Sequence, residues 1–146
     1  MARVGSRLFA ARRSYSAHRA PTPEACAAGM VGAALAQAGR ERRPLCVLLT
    51  FDALPSCARQ RTELSRASVQ RRMAGIDLLV IDVTRVIDAL GHLHASRLPE
   101  MVFYFSDGDE ALRLRGFHPA EHLDAPIDEV LRREQARRSA ALRPPA

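Results

Sequence analysis

RPLCVLLTFDALPSCARQRTE, residues 43–63, decides the fold. Pro44 bounds an apolar run, Leu45–Phe51, broken by a polar residue only at Thr50. A run of this length and continuity reads as a strand covered on both faces, as in the middle of an α/β sheet. A turn follows, and a helix is expected from about Ser56, with the lone thiol of Cys57 close to its start.

Downstream, that helix is expected to run to Met73, with Leu64 and Met73 inward and Arg59, Glu63 and Arg66 sharing a solvent face. Gly75 closes it, and Ile76–Val83 is a second strongly apolar strand, so the helix between is a parallel crossover. Thr84 is placed to cap a helix through Ala95, with Val86, Ile87 and Leu90 inward. Met101–Phe105 is a third strand. Asp107-Gly108 makes a tight turn into Glu110–Arg115, where Leu112 and Leu114 alternate with Ala111, Arg113 and Arg115, the pattern of an edge strand with one wet face. Gly116-Phe117 breaks that strand, and Pro126 starts a last helix with Ile127, Val130 and Leu131 as its stripe. From about Arg137 the chain reads as a polar tail.

Upstream, Thr22-Pro23-Glu24 has the form of a helix start: a capping hydroxyl, proline at the first helical position, then an acid. Met30, Val31, Ala34 and Leu35 give its apolar stripe, and Gly39 is its expected stop. The domain reading is therefore a basic segment over 1–21, disordered or targeting, one folded domain over 22–137, and a flexible tail over 138–146.

At 146 residues the chain has room for one domain with a real core. The net charge of +6 lies in its ends: five arginines and no acid in residues 1–21, and five arginines against Glu134 from Arg132 onward. The body between is net acidic, so a duplex-reading surface on the folded part is not expected, and nucleic acid is left to weak contacts with the arginine tails. No apolar segment reaches the roughly 18–20 residues of a membrane span, and the expectation is a soluble protein. Residues 1–21, rich in Arg, Ser and Ala, have the composition of a mitochondrial transit peptide, and equally of an over-extended bacterial start; matrix and bacterial cytoplasm stay open. The cysteines at 26, 46 and 57 form neither a disulfide framework nor a zinc pattern, and Cys26 and Cys46 are expected as core residues. His92 and His94, two apart on an expected helix, point to different faces, and no metal or other cofactor is implied.

The order of helix, strand, helix, strand, helix, strand, hairpin, strand, helix resembles the thioredoxin fold over about residues 22–135. The resemblance rests on a strand running into a helix with a cysteine near its start, on Ile81-Asp82-Val83 ending the next strand, and on Leu98-Pro99 directly before the third strand. FSDGDEALRLRGFHPAEHL, residues 105–123, carries it furthest, with turn, break and proline spaced together. It implies an α/β domain with a mixed sheet of about four strands flanked by helices, an extra N-terminal helix, and a cis-proline at Pro99 with Leu98 beside it.

Thiol–disulfide exchange in this family needs C-x-x-C at the helix start: an exposed nucleophile favoured as thiolate by the helix N-terminus, and a second thiol that resolves the mixed disulfide. Three registers are open here. Counting back from the helix puts Leu54 first and Cys57 second; counting forward from Phe51 puts Ser56 first and Arg59 second; a third puts Cys57 first and Gln60 second. None contains two cysteines. The family's buried carboxylate falls on Leu48 or Thr50, and the aromatic before the motif on Ala53, Leu54 or Pro55. Glu100, after the proline, would place a charge that opposes a thiolate. The expectation is a redox-inactive domain used for binding a protein partner or for assembly into a larger complex. The alternative is a redox protein working through Cys57 alone, with Arg59 assisting its thiolate.

Overall fold

The structure, a computed structural model, describes residues 26–146. In chain order its elements are α1 (Ala27–Glu41), β1 (Leu45–Thr50), α2 (Pro55–Leu64), α3 (Ala67–Arg72), β2 (Asp77–Asp82), α4 (Ala89–His92), β3 (Glu100–Tyr104), β4 (Glu110–Arg115) and α5 (Asp124–Ala141). The strands form one mixed sheet in the order β2-β1-β3-β4. β1 runs parallel to β2, from Leu45 opposite Asp77 to Thr50 opposite Asp82, and antiparallel to β3, which pairs antiparallel with β4. Among the described residues no helix is long and apolar enough to cross a membrane.

The apolar run of β1 follows from its central place. Leu45, Val47 and Leu49 enter a core under α1 and α4, together with Val31, Ala34, Ala38 and Ala89. Cys46 and Leu48 enter a second core on the opposite face, with Val69, Met73, Phe103, Ile127 and Val130. The first core is lined by small side chains, which lets α1 lie close: a Cβ on Gly39 would stand 3.2 Å from the Ser106 carbonyl oxygen.

Several expectations need correcting. The expected helix start at Thr22-Pro23-Glu24 lies outside the described residues, and so does the 1–21 segment. The described α1 opens at Ala27 with Cys26 as its N-cap, and runs past Gly39 until Arg42, in left-handed conformation, donates its N–H to Ala38 and Gly39. The single helix expected to reach Met73 is two, because Ser65 turns its hydroxyl onto the Thr62 carbonyl and Arg66 is extended. The helix expected from Thr84 shrinks to α4. The Asp82 carboxylate takes both the N–H and the hydroxyl of Thr84, holding that stretch in turns. Val86 is buried as expected, but Ile87 is 86% exposed and Leu90 39%. α5 continues to Ala141, into the stretch expected as tail. Arg137, within it, pairs with Asp107 and Asp109 across the β3–β4 hairpin and lies 4.4 Å over the Phe105 ring. On the outer face of β4, Arg115 is exposed as expected, but Arg113 is not, since its guanidinium covers the buried Glu100.

Candidate functional site

The C-terminal end of β1 leads through Phe51–Leu54 into α2. Leu54 N–H donates to the Phe51 carbonyl at 3.0 Å, and the Leu54 carbonyl in turn accepts from Cys57 N–H at 3.0 Å and Ala58 N–H at 3.2 Å. Leu54 is the N-cap, an apolar residue with no side-chain acceptor to offer, and Pro55 follows at the first helical position. Leu54 is half-buried, whereas Cys57, on the first turn, is 0% exposed. Thr50, at the end of β1, is buried on the same side of the sheet as Cys46 and Leu48, and its hydroxyl oxygen has no hydrogen-bond partner among the described residues. Leu48 sits in the second core.

All three cysteines are free thiols. Cys46 is in the core as expected, where burial pushes its thiol well above the usual range. Cys26 is not: it is exposed, and its Sγ accepts from Gly29 N–H at 3.3 Å at the mouth of α1. The adjoining Ala27 N–H is taken by the Asp88 carboxylate at 3.0 Å.

Opposite the helix start lies the β4–α5 connection. The Leu98–Pro99 peptide is cis, and the Pro99 carbonyl accepts from Gly116 N–H at 2.8 Å. Gly116 has φ +80, and a Cβ there would lie 3.2 Å from Arg97 Nε, so a side chain is opposed by both backbone and space. The residues after it are held by α2. Gln60, 0% exposed, donates from Nε2 to the His118 carbonyl at 3.0 Å and accepts from His118 N–H at Oε1 at 2.7 Å. Glu63 accepts from Ala120 N–H at 2.9 Å, and that bond, followed by the hydrogen bond from Arg66, holds its carboxyl below the usual glutamate value. Arg59 stacks on Phe117, 4.3 Å from the ring centre, instead of lying free beside the thiol.

Of the residues expected on a solvent face, Arg59 is exposed and Glu63 half-buried, while Gln60, to which the sequence assigns no structural role, is buried. A signal was present: Cys57, Gln60 and Leu64 stand at i, i+3 and i+7 on one helical stripe, and all three are buried.

Glu100 also differs from expectation. It is 0% exposed and accepts from Arg113 Nη1 at 2.7 Å, from Ser96 N–H at 3.1 Å and from Arg97 N–H at 3.4 Å. By strand alternation it shares a face with Val102, on the α1 and α4 side, while α2 lies on the other. Its charge is matched where it sits and is turned away from Cys57. Among the described residues no three His, Cys, Asp or Glu side chains gather as a metal would require.

The sheet order, the flanking helices and the turn into α2 define a thioredoxin-like fold. Solved structures agree. The chain is similar to a thioredoxin from Thermus thermophilus, with a TM-score of 0.63 and 23% identity over 72% of this chain and 86% of that one. It is similar to Trxlp from Edwardsiella tarda EIB202, with a TM-score of 0.57 and 24% identity over 65% of this chain and 91% of that one. Chloroplastic thioredoxin z aligns with a TM-score of 0.57 and 26% identity, over 69% and 90% of the two chains. The sequence matches no family model and no curated protein.

Proposed function

We propose that this chain is a thioredoxin-like binding or assembly module that does not carry out dithiol exchange, and that its partner is a protein. One observation carries the reading: the helix start offers Leu54 at its rim and a fully buried Cys57 three residues on. That spacing favours the register in which Leu54 holds the nucleophile's position and Cys57 the resolving one. A leucine there has no electron pair to attack a disulfide, and a buried thiol without a nucleophile beside it has nothing to resolve. The rim favours contact instead. Ala53 and Pro55 are exposed, and Leu98 and Phe117 are half-exposed, an apolar edge of the kind that anchors a bound chain.

The test separates this reading from monothiol chemistry. Native protein treated with iodoacetamide near neutral pH should be alkylated at Cys26, with Cys46 and Cys57 modified only after unfolding. Insulin reduction driven by dithiothreitol should not rise above the uncatalysed rate, in wild type or in Cys57→Ser. Leu54→Cys should gain a reducible internal disulfide with Cys57 and measurable insulin reduction. Rapid native alkylation of Cys57, or a wild-type activity lost in Cys57→Ser, would establish the single-thiol alternative.

A further inference from the structure

At the end of the sheet away from Leu54, a cavity of about 720 Å³ opens between the α1–β1 corner and the second half of α5. That volume falls in the range of small-molecule sites. Pro44, Gly75 and Leu131 give it apolar surface, and arginines stand on two sides, Arg42 from the corner and Arg138 from α5. The carboxylates that also reach it are already engaged. Glu134, 4% exposed, accepts from the N–H of Ser106 at 2.9 Å and from its hydroxyl. Glu41 accepts from Gln37 Nε2 at 2.6 Å. Arg43 is engaged too, with Asp77 at 2.9 Å and the Ala74 carbonyl at 2.7 Å. The guanidiniums of Arg42 and Arg138 have no hydrogen bond or ion pair among the described residues.

We propose that this cavity binds a small polyanion, a molecule carrying phosphate or carboxylate groups, between Arg42 and Arg138. Guanidinium forks match the paired oxygens of either group, and two of them on one lining suit a ligand with more than one anionic group. The Gln135 amide, also on the lining, adds a neutral donor. Arg42 sits in the left-handed conformation, at φ 53, so its position at the corner is set by the helix cap and does not depend on a ligand. This site is independent of the helix start, and its success or failure leaves the reading of Leu54 and Cys57 untouched.

The experiment is calorimetric titration of the full chain with pyrophosphate and, separately, with citrate at low ionic strength. Saturable one-to-one binding of at least one probe is expected. Arg138→Gln should weaken it about tenfold, and Arg42→Asn with Arg138→Gln further still. Asparagine is chosen at 42 because it tolerates the left-handed backbone, and unfolding midpoints equal to wild type would establish that the variants are folded. Arg132→Gln, on the outer side of α5 with a side chain 69% exposed, should leave the affinity unchanged. Absence of saturable binding by both probes would overturn the proposal. So would an equal loss in Arg132→Gln, which would mean diffuse charge attraction.

Discussion

Two stretches face each other at the C-terminal end of β1, and they are built to different standards. Among the described residues, the helix start, Leu54–Cys57, is held by backbone hydrogen bonds alone, with an apolar cap and no acid in its first turn. The Gly116–Ala120 loop opposite is tied by side chains from α2 at three successive points: Arg59 on Phe117, Gln60 on His118 and Glu63 on Ala120. Two of those points are side-chain bonds, partly buried, to otherwise unpaired backbone groups, which are costly to leave unmet away from water. The firm half of the site is thus the half that shapes a surface. The half that would do chemistry is the plain one, in line with the proposed binding role.

The contrast can be broken most directly at Gln60. Gln60→Met keeps the volume but strands the N–H and carbonyl of His118, and should cost about 2–4 kcal/mol in urea unfolding. Leu54→Cys, measured reduced, should stay within about 1 kcal/mol of wild type. Equal effects at the two positions would mean that the loop is no more firmly tied than the helix start. Gly116→Ala is next, at about 1–2 kcal/mol from the left-handed backbone. A neutral result there would mean that the loop relaxes freely.

The smallest effect sharpens the contrast through pH. The Glu63 carboxyl is held below its usual value chiefly by the Ala120 N–H, so the fold favours its charged form. Stability from that source is complete above the unfolded glutamate pKa of about 4.3 and is lost as pH falls through the lower folded value. The stability gap between wild type and Glu63→Gln should therefore be present at neutral pH and close on acidification. A gap independent of pH would assign the loss to packing.

Much of this architecture was legible because each signal was local. β1 announced itself by an apolar run, and Glu110–Arg115 by alternation after Asp107-Gly108. Gly116 marked the break that its positive φ requires. What was not legible depended on partners far along the chain. Gln60 meets a residue 58 positions away, and Glu100 finds its counter-charge in Arg113 on the next strand. The break at Ser65 and the short α4 turned on single side chains, Ser65 and Asp82, competing with the helix for backbone groups. Leu54 and Cys57 were both in view from the start, but only a fixed helix boundary tells which of them reaches the surface.

The cysteines have a practical consequence at the bench. Cys46 and Cys57 are sealed in the interior, and Cys26 alone meets solvent, so a maleimide dye or a spin label attaches at a single place without any mutagenesis. The same asymmetry is a trap. Two molecules left in air can couple through that one sulfur, and the resulting pair would pass on a sizing column for a native dimer unless reductant is present throughout.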